Sequence, residues 1–467
     1  MKNKLICIGI VIIMICTCSI ATACNMNKKV RVHQHIQNKK EIKTEIGDFN
    51  SHLPILTIDT AGQKIPGEAR DGSTIKTEIK IYDDETKNNY LTDEPEITTF
   101  ANIRYRGNSS MKFDKKGYLI KLVNEDGTKN EQEVMGMSKH SEWVLHGPYL
   151  DKTLIRNYMW CNISAEIMGY APNVRFCEIF VDGKYNGVYV MTESVSRGIN
   201  GRIPIDKYDG KDPVTGYIIR LDRGEENPFQ NLNNFSKYTN ILGEKLRFDV
   251  VYPSKAVFND KIKKYIENDY SKFEKSLYSF DYKEYGKYID VDNFVEYFLI
   301  NEFTKNYDAG SCSTYLYKSL RGKYKLCVWD FNNCCDNFQE RTMKNEEFSL
   351  LGTVWYRMLF KDNQFTEKVI QKYWQLRKTY FSEEYLNNYV DDTIAYLGDA
   401  IDRNFEVWGY TFEKNDLLKP EERNIKSKEE AVKQLKDFML ERINYLDSNV
   451  ETLRQYSHES KVKKFNH

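Results

Sequence analysis

Residues 305–337 read KNYDAGSCSTYLYKSLRGKYKLCVWDFNNCCDN, and the rest of the chain is organised around this stretch. Ser313–Lys318 is rich in β-branched and aromatic residues. Ser319–Gly322 carries a glycine where a turn needs one, and Lys323–Trp329 alternates polar and apolar residues. The pattern predicts a β-hairpin.

An acidic residue stands at each end of the predicted hairpin, Asp308 before it and Asp330 after it. Because a hairpin brings its ends together, we expect both carboxylates to lie within reach of one small ligand. Neighbouring carboxylates repel each other unless a cation lies between them or one is protonated. The order of an acid, a hairpin and an Asp-Phe pair also occurs in protein kinases. A surface hairpin with acidic caps is the alternative interpretation.

Length and composition limit the fold and the function. The chain has 467 residues, which suggests two lobes or domains. Lys plus Arg and Asp plus Glu both number 68, so nothing indicates a strongly basic nucleic-acid-binding protein. The 33 Tyr and 24 Phe residues indicate a well-packed globular protein, which we expect to be a monomer.

The first 24 residues are typical of a targeting segment. Lys2 and Lys4 precede the almost wholly apolar Leu5–Ile20, and small residues lead to Cys24. This segment resembles a bacterial lipoprotein signal, in which Cys24 is lipidated and attaches the protein to the outer face of the cytoplasmic membrane. Cleavage after Ala23 and an uncleaved anchor are the alternatives. All three place the folded part outside the cytoplasmic membrane.

The periodicity of the remaining sequence predicts an α+β protein with the order of a two-lobed kinase-like fold. We predict a flexible tether at residues 25–50, a strand-rich first lobe at 51–195, a helix-rich second lobe at 196–455 and a polar tail at 456–467. Residues 51 to about 125 predict a mostly antiparallel sheet. Strands are predicted at 53–58, 77–82, 102–106, 117–122, 176–181, 185–192 and 216–221, and helices at 152–168, 262–278, 290–305, 351–362, 364–381, 383–404 and 428–450. A ligand cleft is expected at the lobe junction.

Cysteine positions give two further indications. Cys312 and Cys327 fall on the two arms of the predicted hairpin, nearly opposite each other. The vicinal Cys334 and Cys335, next to an acidic loop, are a hint of a metal site. No pair has the C-x-x-C spacing of a zinc site.

Phosphoryl transfer requires metal-binding carboxylates, positive charge on the phosphates and a base for the acceptor hydroxyl. Asp308 is the candidate base, and Asp330 is the candidate ligand for Mg²⁺, which prefers hard oxygen ligands. The hydroxyl of Ser313 and the amide oxygen of Asn332 are further candidate metal ligands.

Positive charge on the phosphates is expected first from Lys121. It ends a Tyr-Leu-Ile-Lys strand, as the phosphate-pairing Lys of kinases does, and its expected partner is Glu166. Arg156 is a second candidate phosphate contact, on a helix that Asp151 is expected to cap. A solvated strand lysine and a helix-surface glutamate are the alternatives.

Two other segments are candidates for binding the nucleotide. Arg106–Ser110 is too short for a G-x-G-x-x-G loop, but Arg106, the Ser109 hydroxyl and the backbone N–H groups suit an anion. A plain turn is the alternative. Glu193, at the end of a strand, is expected to begin the connection between lobes and to orient the adenine or ribose; a residue that only caps a turn is the alternative. His146 has no ligand-like spacing and is interpreted as structural.

Taken together, these motifs resemble the CotH kinase family, the spore coat protein H-like atypical protein kinases of bacteria. The resemblance spans residues 51 to about 450. Its motifs are Arg104–Ser110, Tyr118–Leu122, Asp151–Asn157, Val181–Tyr189 with Glu193, Asn301–Asp308 and Val328–Asn332. The resemblance implies ATP, a divalent cation and phosphate transfer to Ser or Thr of a protein. Its two important acids fall on Asp308 and Asp330.

The chain also departs from the family pattern. Ser313 stands where many members have Asn, and Asn332 stands where a second Asp is frequent. The leading hypothesis is an extracytoplasmic, membrane-tethered kinase that acts on a surface or secreted protein. A catalytically weak or inactive surface assembly protein is the second. A hydrolase is a third, but no Ser-His-Asp or H-E-x-x-H arrangement supports it.

Overall fold

A computed structural model describes residues 31–37, 48–67, 71–198, 202–223, 230–239, 246–279 and 283–458. His33–His467 form one compact unit, which is described here, and Met1–Val32 form another. The predicted signal segment with Cys24 lies outside the described residues, as does most of the polar tail. In the described ranges, no helix combines the length and the apolar character that crossing a membrane requires.

Among the described residues, strands predominate in the first part of the chain and helices in the second part. The strands are β1 (Asn50–Ser51), β2 (Ile55–Asp59), β3 (Ile75–Tyr82), β4 (Asn89–Tyr90), β5 (Ile97–Arg106), β6 (Gly117–Val123), β7 (Glu142–His146), β8 (Val174–Val181), β9 (Lys184–Glu193), β10 (Tyr217–Asp222), β11 (Arg247–Tyr252), β12 (Thr314–Lys318) and β13 (Lys325–Cys327). The α-helices are α1 (Gln34–Gln37), α2 (Arg156–Met168), α3 (Phe235–Tyr238), α4 (Asp260–Leu277), α5 (Val291–Thr304), α6 (Tyr356–Leu359), α7 (Asn363–Arg377), α8 (Glu383–Leu397), α9 (Asp399–Trp408) and α10 (Lys428–Asn449).

The first part of the chain is a closed barrel with strand order β2-β3-β5-β6-β7-β9-β8. Neighbouring strands are antiparallel except β2 and β8, which run parallel with Ile55 opposite Glu178. Side chains such as Ile79, Ile103 and Leu145 fill the interior. The sequence predicted a mostly antiparallel sheet that ended near residue 125. That outline needs correction, because alternation along a strand shows which side chains face inward but not which distant strand closes the sheet.

The predicted hairpin is confirmed as β12 and β13, with Leu316 opposite Leu326. It belongs to a four-stranded sheet of order β11-β10-β12-β13. Cys312 and Cys327 were expected nearly opposite each other on the two arms, but Tyr315 is the residue that lies opposite Cys327. The six described cysteines, Cys312 and Cys327 among them, are free thiols.

The start of α2 differs from the prediction. Asp151 was expected to cap a helix from Lys152, but the N-cap is Ile155. The Asp151 carboxylate instead accepts hydrogen bonds from Thr153 N at 3.1 Å and Arg156 N at 2.9 Å. Gly169 ends the helix with φ 74, as expected.

Later helices are shorter than their apolar patterns predicted. The pattern at 383–404 is broken by Gly398, whose φ is 46, and becomes α8 and α9. The pattern at 351–362 gives only a short 3₁₀ turn and α6. The α4, α5, α7 and α10 helices lie within two residues of the predicted starts, and buried residues on these helices form much of the largest core.

Two barrel strands also contribute residues to the core that the helices form. Phe176 on β8 and Val190 on β9 belong to the same buried cluster as Ile300 on α5 and Phe331. The α+β class is therefore confirmed. The division into two kinase-like lobes at residue 195 stays a prediction.

Part of the predicted tether packs on this core. His33 and Gln34 are buried, and the Gln34 side chain accepts a hydrogen bond from Phe176 N at 2.7 Å and donates one to Phe176 O at 3.3 Å. His33 Nδ1 lies 3.0 Å from the Tyr389 hydroxyl. Residues 33–37, which we name the N-terminal strap, are therefore anchored to the domain.

Candidate functional site

Asp308 follows directly from the end of α5. Lys305 closes that helix in a left-handed conformation, and a turn places Asp308, whose backbone oxygen accepts Cys312 N at 2.8 Å. The half-buried carboxylate accepts one hydrogen bond, from Asn333 Nδ2 to Oδ2 at 3.0 Å. Burial, and then the charge of Asp330, raise the pKa of Asp308 to about 6. The carboxylate is thus mainly ionised at pH 7, yet more basic than an ordinary aspartate.

Asp330 follows β13 and is half-buried. Its Oδ1 accepts Asn332 N at 3.0 Å, and its backbone oxygen accepts Asn306 Nδ2 at 3.2 Å. Asn333, three residues after Asp330, donates a hydrogen bond to Asp308 Oδ2 at 3.0 Å, so the hairpin brings the two acids into the same region. Neither acid forms an ion pair with a residue in the described ranges.

Left-handed backbone conformations are concentrated around these acids. Lys305 has φ 49, Ser313 φ 49, Asp330 φ 56, Cys335 φ 51 and Asp336 φ 57. Each such non-glycine residue costs energy, which the surrounding structure must offset, and such residues cluster at functional sites. The concentration supports a functional role for this region.

Residues 330–337, named the acid loop, are fastened to the barrel and to α2. Asn332 Oδ1 accepts hydrogen bonds from His146 Nε2 at 2.6 Å and from Asn157 Nδ2 at 2.7 Å. Asn157 Oδ1 accepts Phe331 N at 2.7 Å. The Asn332 oxygen, which the sequence assigned to a metal, therefore already accepts two hydrogen bonds.

His146 was interpreted as structural, but the structure places it beside the site. Burial lowers its pKa, whereas the charge of Asp330 acts to raise it. Its position at the last residue of β7, a strand end facing the acid loop, was the only local signal. The contact itself joins residues 186 positions apart, so spacing alone did not reveal it.

Arg156 lies near the acid loop but is not free to bind phosphate. It is 2% exposed and pairs with Asp151 at 2.5 Å. Its other nitrogens donate to Cys334 O at 3.2 Å, Cys335 O at 3.3 Å and Gln434 Oε1 at 2.7 Å. These contacts give Arg156 a structural role in holding the acid loop.

Arg106, at the end of β5, is the sequence-predicted cation that the structure leaves unpaired among the described residues. Its guanidinium lies 5.4 Å from the ring centre of Trp329, next to Asp330 in sequence. The following Gly107 has φ 126, and a Cβ there would collide with the Ser110 hydroxyl. Ser109 is exposed and begins a short 3₁₀ turn.

Lys121 lies on the outside of the barrel. Its register partner across β6 and β7 is Glu142, and their charged groups are 3.3 Å apart and partly exposed. The predicted partner Glu166 instead contacts His33 at 3.0 Å, so that pairing is wrong. No contact connects Lys121 to either acid of the site, and its phosphate role stays a prediction.

Glu193 and Ser313, two further predicted site residues, differ in burial. Glu193 ends β9 and is fully buried, with Oε2 accepting Asn173 N at 3.0 Å and Asn173 Nδ2 at 2.9 Å. Its Oε1 is buried and has no hydrogen-bond partner among the residues that the structure describes. Ser313 is half-buried and immediately precedes β12.

A third acid, Asp222, was missed from the sequence. It ends β10, its charge also acts to raise the pKa of Asp308, and Arg223 acts to lower it. An acid directly after a strand was the available signal, the same one that identified Asp330. In the described ranges no three His, Cys, Asp or Glu side chains form a metal-binding group. A cation at Asp330 would therefore need neutral oxygens as well.

Comparison with known proteins adds two findings. Residues 103–446 match the family model described as CotH kinase protein. Inner spore coat protein H of Bacillus subtilis (strain 168) is 23% identical over 231 residues, which cover 49% of this chain and 57% of that relative. The chain thus spans just over half of the relative's length.

Proposed function

The chain belongs to the CotH kinase protein family, and from this premise we propose that it transfers the γ-phosphate of ATP to Ser or Thr hydroxyls of a surface or secreted protein. The observation that carries the proposal is the Asp308 and Asp330 pair. Two half-buried acids without a cationic partner in the described ranges sit in a strained loop region. That arrangement is costly unless a ligand uses it.

The candidate ligand atoms of the site suit Mg²⁺ and a nucleoside triphosphate. The Asp330 carboxylate, with the Ser313 hydroxyl as a neutral oxygen, supplies hard ligands of the kind Mg²⁺ prefers. Arg106 is a cation with no ion pair among the described residues and suits the phosphates. When bound with ATP, Mg²⁺ neutralises the negative charge on the phosphate oxygens.

The proton transfer that accompanies phosphoryl transfer is assigned to a residue of this chain. Asp308 takes the proton from the acceptor hydroxyl, whose oxygen forms a bond to the γ-phosphorus. The bond between that phosphorus and the bridging oxygen of ATP breaks, and ADP leaves. A pKa near 6 suits Asp308 for this role, because it is deprotonated at neutral pH and still accepts a proton readily.

The direct test is transfer of labelled γ-phosphate by the purified protein, to itself or to extracted surface proteins. Asp330→Ala should abolish transfer, whereas Asp437→Asn, on an exposed residue of α10, should leave it unchanged. Full activity of Asp330→Ala would refute the metal assignment. Absence of transfer by the unchanged protein, with ATP and Mg²⁺ in excess, would refute the enzymatic proposal.

A second candidate function is a surface assembly or binding protein that has kept the fold with weak or no catalysis. The engaged oxygen of Asn332 favours it, because this removes one expected metal ligand. The relative named as a spore coat protein is consistent with an assembly role. Calorimetry with ATP and Mg²⁺ separates the candidates, since an assembly protein should give no metal-dependent heat.

For location, we propose attachment to the outer face of the cytoplasmic membrane through a lipid on Cys24. The motivation is the apolar segment and the small residues that precede Cys24. Cys24→Ser should move the protein from the membrane fraction to the medium. An unchanged membrane fraction would favour an uncleaved anchor instead.

A further inference from the structure

We propose that Asn333 is a positioning residue for Asp308: its amide holds Oδ2 of that carboxylate and leaves Oδ1 to receive the acceptor proton. The role rests on the proposed function. It is carried by one contact, from Asn333 Nδ2 to Asp308 Oδ2 at 3.0 Å. No residue in the described ranges donates a hydrogen bond to the other oxygen.

The neighbours of Asn333 make that contact precise. Asn332 is held by His146 and Asn157, and Cys334 is fully buried with its N–H donating to Phe331 O at 3.2 Å. The backbone on both sides of Asn333 is therefore fixed before any ligand binds. A side chain on such a support restricts its partner's rotamers without the cost of ordering a flexible loop.

Asn333 also links the two acids. It belongs to the acid loop that begins with Asp330, while its side chain reaches Asp308 beyond the end of α5. Other amides nearby hold backbone atoms instead: Asn306 donates to Asp330 O and Asn337 donates to Asn332 O. Asn333 thus differs from Asn306 and Asn337, because its amide donates to a carboxylate, whose charge changes with pH.

Several charges act on Asp308 from the elements around it. Asp330 in the acid loop and Asp222 at the end of β10 disfavour its ionised form, whereas Arg223 and the Asn333 amide favour it. Removing the amide should therefore raise the pKa of Asp308 further. A hydrogen bond to an ionised carboxylate is stronger than one to its neutral form, so the contact should be strongest above pH 6.

The test combines kinetics with a double-mutant cycle on the purified full chain. For Asn333→Ala we expect kcat to fall roughly 10-fold or more, the acid limb of the pH–rate profile to move to higher pH, and the affinity for ATP with Mg²⁺ to stay within about 2-fold. In the cycle, the Tm loss caused by Asn333→Ala should be larger at pH 8 than at pH 5 by about 2 °C. That pH dependence should vanish in an Asp308→Asn background.

Asn337→Ala is the matched control. It removes an amide of the same loop that holds a backbone oxygen, so its Tm loss should be equal at both pH values. A pH-independent loss for Asn333→Ala, or an unmoved acid limb, overturns the positioning role even if transfer is observed. A wild-type protein that transfers no phosphate overturns the proposed function and this role together, even where the coupling between Asn333 and Asp308 remains.

Discussion

Two groups of buried acids in this molecule are held in opposite ways. Glu302 on α5 is 1% exposed and pairs with the fully buried Arg442 on α10 at 2.8 Å. It also accepts Ser349 N at 2.7 Å and Leu350 N at 2.8 Å. Asp308 and Asp330, further along the chain, are half-buried, and the charge of Asp330 acts to raise the pKa of Asp308. Neither has an ion pair in the described part of the chain.

The difference separates structure from function. The Glu302 carboxylate has its charge and its hydrogen bonds satisfied within the protein, so it has nothing left to offer a ligand. The Asp308 and Asp330 carboxylates accept hydrogen bonds but have no cationic partner among the described residues, so they can still offer oxygens to a bound cation. Glu302 lies on α5, and Asp308 follows the end of the same helix. The Glu302 and Arg442 pair therefore supports the strained region that carries Asp308 and Asp330.

The largest effect is expected from breaking the paired group. Arg442→Leu leaves the Glu302 charge buried without its cation, and we expect the free energy of unfolding to fall by about 3–5 kcal/mol. Urea unfolding followed by circular dichroism measures the loss. Lys433→Ala, which removes the exposed pair with Asp437 on the same helix, should leave the midpoint almost unchanged. Equal midpoints for both variants would contradict the structural role of Arg442.

The unpaired group should respond in the opposite sense. Asp330→Asn removes a like charge from the neighbourhood of Asp308, so the unfolding midpoint should stay constant or rise. Phosphate transfer should fall by about 100-fold to 1,000-fold, because charge stabilisation in the transition state is lost. A drop in midpoint as large as that of Arg442→Leu would erase the distinction between the two groups.

The pH dependence of stability sharpens the comparison. The pKa of Asp308 is raised to about 6 in the folded protein, so the native state binds this proton more tightly than the unfolded chain. The contribution is fully present below about pH 4 and is lost as pH rises through 6. Without divalent cations it amounts to at most about 3 kcal/mol. Thermal unfolding between pH 4 and 8 should show this decline in the wild type and not in Asp308→Asn.

The smallest effects are expected on ATP affinity, from replacing the cations Arg106 and Lys121. Arg106 lies beside Trp329 and has no ion pair in the described part of the chain, so Arg106→Gln should weaken ATP binding roughly 10-fold, or about 1.4 kcal/mol. Lys121 is satisfied by Glu142 on the barrel surface, so Lys121→Gln should change the affinity by less than about 2-fold. Fluorescent ATP analogues measure both. A larger loss for Lys121→Gln would restore the sequence-based assignment of this lysine to the phosphates.

Local sequence signals predicted the elements that carry the acids. The hairpin and the long amphipathic helices follow from periodicity within a few residues, and Asp308 and Asp330 follow from the hairpin. Barrel closure does not, because β2 pairs with β8, more than 100 positions away. The partner of Lys121 was misjudged for the same reason: the register of β7 against β6 decides it.

The details of the site were harder to predict than its location. Arg156 looked like a phosphate contact because its partners in the acid loop lie about 180 positions away. His146 carries no spacing signal, and its contact with Asn332 depends on how the barrel rests on α2. Asp222 was overlooked although it ends a predicted strand, so an acid after every strand should be weighed in such sequences.

The N-terminal strap has a mechanical consequence. It grips the domain through Tyr158 and Glu166 of α2, with His35 N donating to the Tyr158 hydroxyl at 3.3 Å. The first turn of the same helix supplies Arg156 and Asn157, which hold the acid loop. A pull on the chain from its N-terminal end would therefore be shared by α2, β8 and α8, and the part carried by α2 would reach the acid loop through the first turn of that helix.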